Sequence, residues 1–491
     1  MGNVRRQVLT FLYGAFGLAL VIALGSINPI ILGLMLLLVL GLGAWIVPKA
    51  YAALALLVSM VAPTAVQLSQ LQIASYADEA MILIAVLAFV TKRLVGGGAL
   101  RKLPGGTAFA VFGLLGLTSG LVVGASLDLV VTDAFLLLKA ILFAFAVAQV
   151  DWVKDDLVRG ARIAAWSLAL ILISALVNLV IPLQWDSLFS ASGAIDRRLG
   201  LPVPIGIFTH PSFFGQLMAL AAIAIATYRS MVARGPISAL LLVGSLAGSV
   251  LSARRKVMVA LVGVALWVGF KKKPAATWLV TVLGVPMLTV IFWPAITAVS
   301  QQIYVEYFLN AQGSARTVFY SSAVILATQY FPLGAGFSRF GTFTASTNYS
   351  PEYRNLGFEG IWGLQPGGRF LTDTFWPAIL GETGWIGLVA FLIGLTLLTR
   401  ASLRLYRFGS NAIERWSGLV GVLWSIEYAF ESIASPVYVS PPAYLLLFML
   451  LGLNSALLAQ TSKGGVDRKL SVSATGYPSG MPSQRLGPAH I

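Results

Sequence analysis

Cysteine is absent and histidine occurs only at His210 and His490 in a chain of 491 residues. Thiol chemistry, disulfide frameworks and cysteine-held metals are therefore excluded, and the absence fits an oxidising exterior. Charge is scarce as well. Only 10% of the residues are charged, against about 25% in a soluble domain. No phosphate-cradling glycine loop, metal-ligand spacing or secreted-hydrolase triad is visible, so neither cofactor nor metal is predicted. What abounds instead is apolar: hydrophobic residues make up 58% of the chain.

Apolar runs of about 15–23 residues recur almost from end to end, each close to the length that crosses a bilayer. Rich in Leu, Ala, Val and Gly, they read as helices, because backbone groups in lipid must be satisfied within the segment. Candidate spans are 8–25, 28–47, 51–66, 79–92, 106–124, 131–150, 162–182, 212–227, 237–253, 257–270, 275–298, 376–398, 417–433 and 441–459. The predicted fold is an all-α polytopic transmembrane bundle of about 12–14 spans. The first apolar stretch follows Arg5 and Arg6 and meets another span without a small-residue cleavage site, so it reads as a span rather than a leader.

The net charge of +15 reflects the cytoplasmic bias of Lys and Arg, and no nucleic-acid partner is predicted. With the N-terminus inside, Lys49, the group Lys92, Arg93, Arg101 and Lys102, Arg229 with Arg234, Lys271 to Lys273, and Arg400, Arg404, Arg407 and Arg415 all fall in the cytoplasm. The expected organisation is transmembrane helices over 1–298 with an outer loop near 183–211, a large outer loop with short helices over 299–375, and transmembrane helices again over 376–459. A disordered cytoplasmic tail follows over 460–491. Within the large loop, TVFYSSAVILATQYF (317–331) is predicted to lie as a helix on the outer interface.

This topology leaves arginines on the side where they are expected to be rare. Arg197 and Arg198 fall in the loop 183–211. Arg254, Arg255 and Lys256 occupy a short outer turn, and Arg316, Arg339, Arg354 and Arg369 lie in the large loop. Such clustering points to an anionic ligand, since the guanidinium fork suits phosphate and stays charged. Each has a plainer reading beside it. Arg197 and Arg198 form a solvated loop pair beside Asp196, the 254–256 group snorkels to headgroups, Arg316 caps a helix, and the others are loop charges.

Three stretches carry more than composition. RRLGLPVPIGIFTHPSFFGQLMALA contains Arg197, Arg198, Gly206, His210, Pro211 and Gly215, and SVLSARRKVMVAL contains Ser252, Arg254 and Arg255. ARTVFYSSAVILATQYFPLGAGFSRFG followed by TDTFWPAILGETGWIG contains Arg316, Pro332, Gly334, Gly336, Asp373, Glu382, Gly384 and Gly387. In this order and spacing, over about residues 190 to 395, they resemble the O-antigen ligase and O-antigen polymerase superfamily. The resemblance implies a multi-pass enzyme of the bacterial inner membrane with cytoplasmic termini and a periplasmic active site. It implies transfer of glycan from an undecaprenyl-diphosphate carrier, without nucleotide sugar or obligatory metal, among membrane lipids and beside chain-length regulators or export proteins. Ligases of this group carry a His just before the "ExG" span, where this chain has Asp373. The departure favours a polymerase of O-antigen, capsule or exopolysaccharide over a ligase to lipid A core or a glycan-to-protein transferase.

Two chemical needs follow. The leaving diphosphate requires preorganised cations, assigned to Arg254, Arg255, Arg198 and Arg316. The attacking hydroxyl requires a base, assigned to Asp373 or His210. Asp373, before Pro377, also suits a helix cap, and His210 before Pro211 suits a packed helix entrance. Arg339 and Arg369 are candidates for sugar contact or structure. Lys139, Glu382, Glu427 and Glu431 fall within spans and should face the bundle interior or water. Glu427 and Glu431 share one face and are read as ion-pair partners of the outer arginines or as sugar ligands. A flippase or anionic-solute transporter is the rival reading, but it calls for charges through the depth of the membrane rather than at one face.

Overall fold

The computed structural model describes residues 29–193, 195, 197–198, 201–252, 297, 315–442 and 444–474. The spans expected at 8–25, 257–270 and 275–298 lie outside the described residues, as do Arg254, Arg255, Lys256, Lys271 to Lys273 and His490.

The chain opens with α1 (Pro29–Ile46), α2 (Pro48–Ser69), α3 (Ala77–Val95), α4 (Gly106–Val122), α5 (Leu127–Gln149), α6 (Lys154–Val180) and the short α7 (Pro182–Phe189). A two-residue antiparallel ladder follows, β1 (Arg197–Arg198) with β2 (Leu201–Pro202). Then come α8 (Pro211–Met231), α9 (Pro236–Leu251), α10 (Ala315–Gln329), α11 (Phe343–Thr347), α12 (Pro351–Asn355), α13 (Trp376–Phe408), α14 (Ala412–Glu431) and α15 (Tyr444–Ala474). Every expected span within the described residues coincides with a helix. Prolines in the first turn mark the starts of α2, α7, α8, α9 and α13, where the missing N–H has no helical partner to lose.

Among the described residues, six helices are long and apolar enough to cross a membrane: α2, α3 with its short lead-in, α5, α6, α8 and α13. Their composition is that of a multi-pass membrane protein. Leu36, Leu37, Leu38, Leu87, Trp166, Leu170 and Leu240 point outward from the bundle, as apolar side chains do in lipid. α5 and α8 are the most enclosed of the six. α5 packs on α15 and α3, and α13 on α4, α14 and α10. Polar ties lock these helices together. Asn454 on α15 donates to Ser402 Oγ on α13 at 3.0 Å and to the Ser417 carbonyl on α14 at 3.1 Å, and accepts from Ser417 Oγ. Such interhelical bonds specify packing where no hydrophobic drive separates helix from lipid.

The helix termini sort into two ends. At one, Lys49 bonds Asp156 at 2.5 Å, Arg93 and Arg101 bond Asp151, and Arg229 donates to the Gly235 carbonyl at 2.6 Å. Arg400, Arg404 and Arg407 end α13 at this same basic end, as the alternation of basic loops requires. At the other, Thr64 donates to the Ile207 carbonyl at 2.6 Å, Gln67 to that of Ser190, and Asn178 joins Asp186 to the Ile205 N–H. Arg339 donates to the Val123 carbonyl at the end of α4 remote from Arg101, so described parts of the loops 183–211 and 299–375 share the end opposite the basic one.

Two expectations need correction. α10 does not lie flat across that end. It begins beside the residues that precede α13 and runs lengthwise along the first half of α13, burying Phe319, Ala323, Leu326 and Ala327. Its opposite side carries exposed Val324 and Ile325, so it lacks the charged face that holds a helix at an interface. The polar stretch after residue 460 also starts as helix, α15 continuing to Ala474. Extending a formed helix is far easier than nucleating one. Residues 475–491 lie outside the described residues.

Candidate functional site

The PLGAG and ETGWIG stretches, fifty residues apart in sequence, interlock. α13 is broken at Gly384, which adopts φ 63° and ψ −170°. Carbonyls freed near the break are taken by the turn after α10: Ala335 N–H donates to Gly381 at 2.9 Å and Gly336 N–H to Glu382 at 2.8 Å. Gly334, at φ 80°, lies against Gly384 backbone to backbone, and Gly336, at φ 88°, lies equally close to Gly120 of α4. Ser119 Oγ donates to the Gly334 carbonyl, and Phe337 N–H to that of Gly116 at 3.1 Å. The turn therefore re-enters the bundle between α4 and α13. Irregular backbone inside a bundle is tolerated where freed groups find protein partners, as the carbonyls of Gly381 and Glu382 do here.

Glu382 and Asp133 grip the next residues. Glu382 Oε1 accepts the N–H groups of Arg339 and Phe340, both at 2.9 Å, and the Thr342 hydroxyl at 3.1 Å. Asp133 Oδ2, on α5, accepts the Ser338 N–H at 2.9 Å. Both carboxyl groups are wholly buried. Arg339 reaches back to donate from Nη2 to the Val123 carbonyl at 2.7 Å, while its Nε is buried without a hydrogen-bond partner among the described residues. Tyr353 accepts the Gly341 N–H at 2.9 Å. Burial pushes its hydroxyl well above the ordinary range, and burial beside Glu352 raises Tyr330, which donates to that carboxylate at 2.9 Å. Both phenols stay protonated and supply no base.

Of the residues singled out from sequence, Arg316 and Asp373 come together. Nε of Arg316 donates to Asp373 Oδ2 at 2.8 Å, and Nη2 donates to the same oxygen. Both side chains are about a third exposed, at 33% and 28%. Asp373 does not cap α13, whose N-cap position is Phe375 with no side-chain bond. Its Oδ1 has no hydrogen-bond partner among the described residues. One turn on, Tyr320 donates to the Ile433 carbonyl at 2.6 Å, and Trp376 donates to Ser432 Oγ at 2.9 Å. These bonds set the end of α14, which carries buried Glu427 and Glu431, beside the pair. Arg254 and Arg255, the cations expected to answer those glutamates, lie outside the described residues.

His210 stands apart. Its Nδ1 accepts the Ser212 N–H at 3.1 Å and lies 2.7 Å from Ser212 Oγ, capping α8. It makes no described contact with Asp373. A capping Nδ1 has its lone pair engaged, so neutral His210 carries its proton on Nε2 and presents a donor. Arg197 is exposed on β1, and the Arg198 side chain lies outside the described residues. Arg369 is exposed, and Arg354 faces Glu359 at 3.5 Å with both side chains more than half exposed.

Lys139, Glu382, Glu427 and Glu431 are all buried. Lys139 bonds Asp78 at 3.1 Å and also Glu79, Tyr444 donates to Asp78, and the ammonium sits 5.0 Å over the Tyr444 ring. Sequence reasoning found the lysine but not its partners, nor Asp133. The signal for all three acids is the same one that exposed Lys139, an ionisable residue at the edge of or inside an apolar run. Among the described residues no three His, Asp or Glu side chains form a group suited to a metal ion. No protein-family model matches the chain, and no curated protein matches it.

Proposed function

We propose that this chain is a membrane glycosyltransferase that polymerises or transfers glycan units carried on a polyprenyl diphosphate. The reaction takes place at the loop end of the bundle, which we assign to the periplasmic face of the bacterial inner membrane. The observation that carries this reading is the Arg316–Asp373 pair: a partly exposed cation and carboxylate held side by side where α10 and α13 begin.

The roles follow from the atoms. The acceptor sugar hydroxyl attacks the anomeric carbon of the donor, and the bond from that carbon to the diphosphate oxygen breaks. The hydroxyl proton passes to Asp373 Oδ1, which is open for it. The electron pair leaves on the lipid diphosphate, whose growing charge falls to Arg316, with Arg198, Arg254 and Arg255 assigned to the same task. A preorganised donor of this kind is worth about two to three orders of magnitude in rate, and general-base help roughly 10²–10⁴-fold. Asp373 standing where the ligases carry histidine favours polymerase over ligase.

The test is an assay with purified protein in liposomes, undecaprenyl-diphosphate oligosaccharide and no nucleotide, with products separated by size. A ladder of lengthened glycans supports a polymerase, and product only with added lipid A core supports a ligase. Movement of the lipid between leaflets without covalent product would overturn both and favour a flippase. That reading draws on the break at Gly384, since transporters bind solute at broken helices. Against it, the carbonyls of Gly381 and Glu382 are already engaged by Ala335 and Gly336.

A further inference from the structure

Asp133 and Glu382 pose a problem of hydrogen-bond supply. Each spends one oxygen on the loop, Asp133 Oδ2 on the Ser338 N–H and Glu382 Oε1 on Arg339, Phe340 and Thr342. The second oxygen of each, Asp133 Oδ1 and Glu382 Oε2, is buried without a donor among the described residues. The N–H groups they hold belong to consecutive residues, Ser338 for Asp133 and Arg339 and Phe340 for Glu382, which sets the two carboxyl groups side by side.

Among the described residues no cation answers them. Neither carboxylate forms an ion pair among the described residues, and the Arg339 guanidinium is turned to the Val123 carbonyl. Of the hydroxyls on and against residues 338–342, that of Thr342 donates to Glu382 Oε1 and that of Tyr353 accepts the Gly341 N–H; neither carries a positive charge. As two carboxylates, the groups would face each other in a dry space as acceptors only, with like charges in contact. One proton removes both difficulties, since one carboxyl then donates O–H and the other accepts.

We infer that Asp133 and Glu382 share a single proton, and that this acid–carboxylate pair is a clasp that positions residues 338–342, and Arg339 with them, against α5 and α13. They are positioning residues, joined across α5 and α13, and neither is expected to touch substrate. The clasp itself is independent of the reaction; its bearing on transfer rests on the reading proposed above.

The clasp predicts which substitutions are tolerated. In Glu382→Gln the amide donates from Nε2 to Asp133 and accepts the loop N–H groups on Oε1, so network and net charge are both preserved. Glu382→Ala removes three bonds to the loop and leaves Asp133 facing a void.

The experiment is infrared spectroscopy and thermal unfolding of the purified full chain in detergent, for wild type, Asp133→Asn, Glu382→Gln and Glu382→Ala. The expected result is a deuterium-sensitive carbonyl band of a protonated carboxylic acid in the wild type that disappears in both Asp133→Asn and Glu382→Gln. Glu382→Gln should unfold at the wild-type temperature, and Glu382→Ala well below it or not fold. Absence of that band from the wild type, or its persistence in either amide variant, overturns the proposal. So does a Glu382→Gln protein as unstable as Glu382→Ala. None of these readouts depends on turnover, so a wild type that transfers no glycan would refute the proposed function and still leave the clasp to be judged.

Discussion

A methyl group placed on Gly334 would meet the backbone nitrogen of Gly384 at 2.4 Å. Both glycines also adopt positive φ, 80° and 63°. Contact between the two motif stretches is thus made by bare backbone, and it holds the turn that carries Arg339 inside the bundle.

Gly334→Ala and Gly384→Ala should each be strongly destabilising. The left-handed backbone alone costs on the order of 1–3 kcal/mol for a side-chain-bearing residue at a strained position, and here the neighbour is backbone that cannot turn aside. Thermal unfolding in detergent measures this. Wild-type stability in either variant would mean that the turn does not dock on α13 as described.

Lys139→Met should be among the costliest single changes in the transmembrane region. Asp78 and Glu79 would remain buried without their cation, and breaking a buried pair typically costs about 3–5 kcal/mol. Adding Asp78→Asn and Glu79→Gln to Lys139→Met should recover most of that loss. A single variant as stable as wild type would show that the lysine is not paired.

His210→Ala is expected to lose roughly 1 kcal/mol, the usual cost of removing a helix cap, and His210→Asn to restore it by accepting the same Ser212 N–H. Turnover should follow stability in both. A stable His210→Asn protein with no activity would return His210 to the list of catalytic groups.

The positions of the helices were legible because apolar run length and the alternation of basic loops are local properties, and each described span falls where those properties put it. Buried charges were legible for the same reason, since Lys139 and Glu382 stand out in apolar surroundings. Partnership was not. Lys139 pairs with Asp78 across 61 positions and Arg316 with Asp373 across 57, and nothing in one sequence ties such distant residues. The path of α10 was misread because an isolated apolar helix looks alike on an interface and along a neighbour. Only the stripe of Phe319, Ala323, Leu326 and Ala327, read against charge-free residues on its other side, distinguishes the two.

The absence of cysteine makes sidedness directly measurable, because a single introduced thiol has no background. Arg369→Cys and Arg404→Cys place thiols at exposed positions on opposite ends of the bundle. In intact cells an impermeant maleimide applied outside the inner membrane should label position 369 and spare 404. The reverse pattern would invert the assignment of faces.

The most direct test compares turnover of wild type, Arg316→Ala and Asp373→Asn in the nucleotide-free assay with undecaprenyl-diphosphate oligosaccharide. Removing a partly exposed ion pair should change stability by no more than about 1 kcal/mol, so folded protein is expected in every case. Lengthened or transferred glycan is expected from wild type, with a loss of about two to three orders of magnitude in rate in Arg316→Ala and of roughly 10²–10⁴-fold in Asp373→Asn. Undiminished turnover in both variants, or no covalent product from wild type with any acceptor, would contradict the proposed function.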